Sequence, residues 1–422
     1  PGMRRRASGL FRLEDGSGAV RRGDRNRLLA WALKQVRTLS ATELRELAGS
    51  LAQAGVDTTV YVRRWAADLP TEVAVEPGFR VVHVDAGPAD LAKESLPEVV
   101  GEFTESLIDH LRHRPVDVVH ANYWLSGVAG HRVKHALDLP LVSTFHTLAR
   151  VKAETGDPEP DRRVDAEVEV IGCSDVILAN SLAESSQLRR LYGADPDRIQ
   201  VVPPGVDHAF FAPGHRGGAR RALGLDPVAP TLLFVGRIQP LKGLDVAIGA
   251  LAHLLARGHH TARLVVVGGP SGAEGPAELA RVRALADRLG VAAHIDWRDP
   301  QPHHLLSTWY RAADVVVVPS RSESFGLVAL EAAACGVPVV AAAVGGLRTL
   351  VVHGLTGLLV AERDPLAFAD AIHRLLADPR LAGELGAAAA TRARTYTWST
   401  AAARLRRTYH DLTSRVPVSC AA

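Results

Sequence analysis

The amino-acid sequence predicts an α/β protein with two Rossmann-like domains facing a central cleft. Three observations carry this prediction. Short β-branched runs alternate with Ala-, Leu- and Arg-rich helical stretches along residues 42–412. The alternation starts afresh after a turn-rich link, PPGVDHAFFAPG, at residues 203–214. And 422 residues are too many for one ordinary hydrophobic core, so two domains are the natural division.

Residues 1–45 form an atypical N-terminal segment, counted with the first domain. Glycines stand at 16, 18 and 23, but no apolar strand immediately precedes them. In the domain at 46–213, strands are expected over 58–62, 79–84, 116–120, 141–145, 176–179 and 199–202. Helical text lies at 42–54, 101–113 and 162–171, and strand–helix alternation implies a mostly parallel sheet. The domain at 214–395 opens with a strand over 231–235 and a helix over 243–256. Strand 262–267, helix 275–289, strand 291–297 and helix 303–312 follow. Strand 315–318, helix 326–334 and strands 337–341 and 358–360 complete a second doubly wound sheet. Helical text runs from about 376 to 412, and the tail at 396–422 is expected to pack back on the N-terminal domain.

Composition narrows the function. Apolar residues make up 47% and charged residues 23%, an ordinary globular balance. A formal charge of +3 with scattered arginines and no aromatic-interleaved basic stripe excludes a nucleic-acid partner. The three cysteines, Cys173, Cys335 and Cys420, form no CxxC motif and no Cys/His cluster along the chain. This speaks against a disulfide framework and a structural zinc, and Cys173 and Cys335 read as small buried hydrophobes. No run of 18 uncharged apolar residues occurs, and PGMRRR is followed by no secretory apolar core. A cytoplasmic protein without an integral membrane segment is expected.

Two segments carry chemistry in the second domain. Arg237 and Lys242, in GRIQPLKG, follow the strand at 231–235. Open α/β sheets bind ligands at strand C-termini, and two cations beside a helix N-terminus suit a diphosphate. The second segment is PSRSESFGLVALEAAACGVPVVAAAVGG, residues 319–346. It places Glu323 before a Ser324-Phe325-Gly326-Leu327 turn and Glu331 eight residues on, within a helix. Amides at that turn can hold phosphate oxygens, and a helix carboxylate can accept from ribose hydroxyls. A lone helix glutamate more often just faces solvent. Paired carboxylates can also mark a glycosidase, but a hydrolase has no diphosphate for Arg237 and Lys242 to neutralise.

In the first domain, His120-Ala-Asn-Tyr123-Trp-Leu-Ser-Gly follows one strand, and His146-Thr147 follows another. Either histidine alone is more often structural; at strand ends with aromatics and a glycine turn they suggest an acceptor-site floor. Lys93, Arg150, Lys152, Arg162 and Arg163 lie nearby in sequence and suit an anionic acceptor.

These segments, with GDPEPDRR, VVPPGVD and HGLTGLLV, resemble the retaining GT-B glycosyltransferases of family 4 over about residues 47–405. YWLSG, HTLARVK and PEPDRR resemble the actinobacterial subgroup that glycosylates inositol phosphate in mycothiol biosynthesis. The resemblance implies a GT-B fold with an acceptor-binding N-terminal and a nucleotide-sugar-binding C-terminal domain. It implies that Arg237 and Lys242 hold the donor diphosphate and that Glu331 binds ribose. Glu323 and the amides from Ser324 through Phe325 and Gly326 to Leu327 would face the donor hexose. The backbone at Trp297 and Arg298 would border uracil. His146 would contact the donor sugar rather than deprotonate the acceptor. Lys93, Tyr123, Thr147 and Arg163 would grip inositol phosphate.

His146, Glu323, Arg237 and Lys242 are thus the expected catalytic set. The implied reaction moves N-acetylglucosamine from UDP-N-acetylglucosamine to 1D-myo-inositol 3-phosphate or a related cyclitol, with retention. No DxD-like pair is found, so no metal and no further cofactor are expected. The implied partners are the nucleotide-sugar donor and a small cyclitol; a homodimer is compatible with this reading. An aminocyclitol, another natural product, a sugar phosphate or a lipid is the alternative acceptor. A nucleotide-sugar-binding protein without catalysis is the alternative from another class. One feature departs from the family: its opening GG-containing loop does not occur before residue 47.

Overall fold

The computed structural model describes residues 39–272, 274–414, 417 and 418. The atypical opening segment therefore lies outside the described residues up to position 38, and from Leu39 the chain is helical. The chain divides into two compact units. One takes the described residues up to Asn180, Ser185–Gly205 and those from Trp398; the other takes Ser181–Glu184 and Val206–Thr397.

The first unit starts with α1 (Leu39–Gln53), β1 (Thr58–Arg63), β2 (Glu72–Glu76), β3 (Phe79–Val84) and a 3₁₀ segment at Lys93–Val99. There follow α2 (Val100–His113), β4 (Val119–Asn122), α3 (Trp124–Leu137) and β5 (Leu141–Thr144). Next come α4 (Ala149–Glu154), α5 (Asp161–Cys173), β6 (Val176–Ala179), α6 (Leu182–Tyr192) and β7 (Ile199–Val201). The strands form two ribbons, β1-β3-β2 and β4-β5-β6-β7. All pairings are parallel except β2 with β3. Among the described residues, β1 pairs only with β3 and β4 only with β5. The ribbons nevertheless share a core, in which Tyr61, Val82 and Val84 pack with Val119, Ala121 and the α2 residues Leu107, Ile108 and Leu111.

β2 and α4 were not legible in the sequence. β2 is half-exposed, short and closed by a glutamate at each end, which blunts an edge strand and weakens the periodic signal. α4 is six residues, below the length at which helical periodicity shows.

The second unit holds α7 (Arg216–Leu223), β8 (Thr231–Val235), α8 (Leu244–Ala256), β9 (Arg263–Val267) and α9 (Gly275–Arg288). β10 (Ile295–Arg298), α10 (His303–Ala312), β11 (Val315–Val318), α11 (Leu327–Ala334) and β12 (Val339–Ala342) continue it. α12 (Leu347–Leu350), β13 (Leu358–Val360), α13 (Pro365–Ala377) and α14 (Pro379–Ala393) complete it. The sheet order is β10-β9-β8-β11-β12-β13, with every pairing parallel. Period-two alternation divides its side chains between two cores: Leu232 and Phe234 enter one face, Leu233 the other. The order reverses between β8 and β11, and the crevice outside the strand ends there is where such sheets take ligands.

The last helix, α15 (Trp398–Leu412), belongs to the first unit, although the second unit precedes it in sequence. Ala401, Ala402, Leu405, Tyr409 and Leu412 pack on Val118, Val142, Val176 and Leu178 of the β4–β7 ribbon and on Leu51 of α1. A polar bolt runs through this core. The Tyr409 hydroxyl is 2.7 Å from His120 Nδ1, and His120 Nε2 is 2.9 Å from Thr144 Oγ1. His120 is thus a core residue, not part of a site floor.

Burial, with the nearby His146 charge, lowers the His120 pKa from its ordinary 6.5 to about 3. The folded state refuses a proton that the unfolded state accepts, so this contribution to stability is complete above about pH 6.5 and is lost as pH falls towards about 3. Tyr409→Phe strands one His120 nitrogen and is expected to cost about 1–3 kcal/mol. Urea denaturation at neutral pH measures the loss, and an unchanged midpoint would show that the bolt contributes nothing.

Candidate active site

Most of the residues expected to bind the nucleotide-sugar lie in the second unit, on the loops leaving β8 and β11. These are neighbouring strands, so their C-terminal loops run side by side. The Arg321 amide donates to the Leu241 carbonyl at 2.8 Å. Gly243 permits the approach: its φ is +71°, and a Cβ there would lie 2.1 Å from the Pro319 carbonyl oxygen. Lys242 ends the 3₁₀ turn Pro240–Lys242, and its Nζ donates to Glu323 Oε1 at 2.6 Å. The Ser320 hydroxyl donates to the same oxygen at 2.8 Å. Two expected donor-binding residues are therefore brought into direct contact, and Glu323 keeps Oε2 for a ligand hydroxyl. Arg237, half-buried, lies two residues past the end of β8, after Gly236.

Gly326 caps α11 with φ +101°, and a Cβ there would come within 2.5 Å of Leu347 Cδ2. The chain thus turns sharply into the helix, whose first amides have no acceptor within the helix. Ser324 is half-buried, whereas the Phe325 side chain is core, 5.7 Å from the Tyr396 ring between centroids. The Phe325 side chain therefore packs in the core. Leu327 opens α11 and Glu331 sits one turn further, 2% exposed.

Glu331 Oε1 lies 2.7 Å from His303 Nε2, and Oε2 accepts from the Tyr310 hydroxyl at 2.6 Å. Burial, and then the Glu331 charge, push the Tyr310 hydroxyl well above its usual range, so it stays a donor. A carboxylate has about four acceptor positions, and two remain beyond these partners. His303 and Tyr310 were not singled out in the sequence, although seven residues is two turns and sets both on one face of α10. Trp297 and Arg298 end β10. Arg298 lies over the Trp309 ring, 5.7 Å from its centroid, and Arg283 over Trp297 at 5.3 Å.

The acceptor-side residues lie in the first unit. Tyr123, Asp138 and His146 are the described non-glycine residues with positive φ. Tyr123 (φ 76°) turns the chain from β4 into α3, and His146 (φ 59°) follows β5. Such backbone strain persists only where the surroundings impose it, and here two of the three residues are ones the sequence had singled out. His146 Nδ1 is 3.2 Å from Glu43 Oε2 and its Nε2 is 3.1 Å from Asn122 Oδ1. Both ring nitrogens thus face acceptors. Glu43, from the poorly patterned start of α1, carried no sequence signal.

Arg163 is 3% exposed. It donates to Glu167 at 2.8 Å and to both the carbonyl and the hydroxyl of Thr147 at 3.0 Å. Its guanidinium also pairs with Glu159 at 2.9 Å and stacks over Tyr123 at 5.3 Å. Arg163, Thr147 and Tyr123 are thus brought together, with Arg163 as their hub. Lys152 pairs with Glu159 and, at 3.0 Å, with Asp157. Lys93 is exposed at the start of its 3₁₀ segment. Burial acts to raise the Glu159 pKa. The Lys152 hydrogen bond and the charges of Arg163, Lys152 and Lys93 outweigh it, and the carboxyl titrates below its ordinary range. Three cations therefore act on one carboxylate.

Residues 41–210 match Glycosyltransferase Family 4, and residues 217–392 match Glycosyl transferases group 1. A D-inositol 3-phosphate glycosyltransferase of Xylanimonas cellulosilytica is 46% identical over 386 residues, covering 88% of this chain and 91% of the relative. This chain belongs to the family 4 GT-B glycosyltransferases. Another such family member, the D-inositol 3-phosphate glycosyltransferase of Actinosynnema mirum, is 48% identical over 366 residues (84% of this chain, 87% of the relative). Among solved structures, sucrose-phosphate synthase from Thermosynechococcus elongatus superposes with a TM-score of 0.83 at 30% identity, covering 89% of this chain and 94% of that one. An Anabaena protein in complex with UDP and glucose shares the fold at TM-score 0.72 and 19% identity, over 88% and 95% of the two chains. As a member of this family the chain is a nucleotide-sugar-dependent retaining glycosyltransferase. No helix among the described residues is long and apolar enough to cross a membrane.

Proposed function

We propose that this glycosyltransferase moves N-acetylglucosamine from UDP-N-acetylglucosamine to 1D-myo-inositol 3-phosphate. The single observation that carries the acceptor assignment is the pairing of Lys152 and Arg163 with Glu159, on which the Lys93 charge also acts. These cations are already gathered about one anionic group, and an acceptor phosphate competes for the same charges. A neutral or cationic acceptor gives them no task. The names of the curated relatives support the same reading.

On this reading Arg237, Lys242 and the first amides of α11 take the charge that develops on the departing diphosphate. Glu331, held by His303 and Tyr310, accepts from the ribose. Glu323 accepts from a hydroxyl of the hexose, and Trp297 and Arg298 border the base. His146 is held by Glu43 and Asn122 and orients the sugar. The bond from the anomeric carbon to the diphosphate oxygen breaks, and a bond to the acceptor oxygen forms on the same face. The acceptor's proton passes to the departing phosphate oxygen.

The test is incubation with UDP- and GDP-sugars against inositol phosphate, free inositol and an aminocyclitol, followed by product mass. Transfer of N-acetylglucosamine from the UDP-sugar to inositol phosphate is expected. Lys93→Ala should raise KM for that acceptor about tenfold, in line with the loss of roughly 1.4 kcal/mol from a charged contact, and leave donor KM unchanged. Transfer to the aminocyclitol but not to the phosphate would overturn the proposal.

A further inference from the structure

We propose that the first unit carries a second, non-catalytic site: a metal site for a zinc-class divalent ion, formed by His131, His135 and Cys173 when Cys173 is a thiolate. The two histidines lie four residues apart on one face of α3, and Cys173 ends α5. His131 Nε2 and His135 Nε2 are 3.0 Å apart, and His135 Nε2 is 3.4 Å from Cys173 Sγ. All three donor atoms lie within 4.8 Å of one another. Zinc–nitrogen bonds of about 2.0–2.1 Å and zinc–sulfur bonds of about 2.3 Å set tetrahedral donor separations of about 3.3 Å for two nitrogens and about 3.6 Å for nitrogen and sulfur. Two of the three separations, 3.0 and 3.4 Å, are close to those values, and the third lies within 4.8 Å. Two imidazoles and a thiolate are also the donor set that zinc prefers to magnesium or calcium.

The outer contact supports the same reading. His131 Nδ1 lies 3.3 Å from Glu169 Oε1, the carboxylate–histidine arrangement that turns the other ring nitrogen towards a metal. Cys173 is 1% exposed, but His135 lies at the surface and gives an ion a path in. Three protein ligands leave a fourth position for water.

Cys173 is disulfide-bonded in the structure, so the site is coupled to redox state. A dithiol reductant reduces that disulfide with two electrons, leaving Cys173 and the cysteine it was joined to as thiols and the reductant as a disulfide. The ion then binds the sulfur and displaces the thiol proton. The metal would join the C-terminal part of α3 to the end of α5. The opposite ends of these helices carry Tyr123 and Arg163.

Untagged protein, reduced and then freed of reductant, is titrated with Co²⁺ as a spectroscopic probe and back-titrated with Zn²⁺. A thiolate-to-cobalt charge-transfer band at one ion per chain is expected in reduced protein and no band in oxidised protein. Cys173→Ser should abolish the band. His135→Ala, at a surface position, should weaken Zn²⁺ at least 100-fold, and Glu169→Gln about tenfold. Reduced protein without the band would overturn the site. So would a band that survives Cys173→Ser, since another thiol of the reduced chain, Cys335 or Cys420, would then be its source. Zinc affinity unchanged by His135→Ala would overturn it as well.

Discussion

Lys242→Ala is expected to lower kcat/KM about 10²–10³-fold with every acceptor, the usual cost of removing one group aimed at developing negative charge. Lys242 is 12% exposed and pairs with Glu323 at 2.6 Å, so its ammonium is fixed before any ligand arrives. Preorganisation of that kind makes a cation effective, because nothing has to reorient as the diphosphate departs. The loss should fall on kcat more than on donor KM, since the charge to be stabilised is larger in the transition state. Lys242→Arg keeps the charge but not the compact geometry and should restore only part of the rate. Steady-state kinetics with the UDP-sugar varied makes the comparison. An unchanged rate in the alanine variant would remove Lys242 from the site.

Arg163→Ala is expected to destabilise the first unit by about 3–5 kcal/mol, because it leaves a buried carboxylate without its partner. Glu167 is fully buried and takes hydrogen bonds from Arg163, from the Ala149 amide and from the Tyr192 hydroxyl. With the guanidinium gone, its charge has no counterion in a low-dielectric core. Thermal denaturation should show a fall of roughly 2–4 °C for each kcal/mol lost. The double variant Arg163→Met with Glu167→Leu removes both charges at similar volume and should recover much of the stability, though not activity. If the double variant is as unstable as Arg163→Ala, packing rather than charge is responsible. Arg163 thus serves the fold through Glu167 and the proposed acceptor through Glu159 and Thr147, and the two roles separate in this pair of variants.

The two sides of the site were unequally legible. Arg237, Lys242, Glu323 and Glu331 stand out in the sequence because each lies just after a strand or within about one turn of a helix start, where open α/β sheets take ligands. Their supporting residues were harder to find. Ser320 and Tyr310 are ordinary-looking residues whose role comes from a partner across the fold. On the acceptor side, Arg163 was read as a ligand-gripping cation. It is first a buried hub, because sequence adjacency to other arginines does not reveal burial. His120, read as site floor, is locked in the core by Tyr409, 289 positions away.

By itself the sequence determined the elements that repeat: parallel strands, their following helices, the restart near residue 231 and the glycine-dependent turn into α11. These are local, because propensity and periodicity act within a few residues. Only the tertiary structure decided the rest. It set which residues seat α15 on the first unit, where the tail was expected: its apolar face packs on the β4–β7 ribbon. It paired Lys152 and Arg163 with Glu159. It also brought together His131, His135 and Cys173, which form no cluster along the chain because a metal-type constellation depends on distance in space and these residues come from two helices. Long-range pairing of charge, thiol and imidazole leaves no periodic trace, which is why it had to be read from the fold.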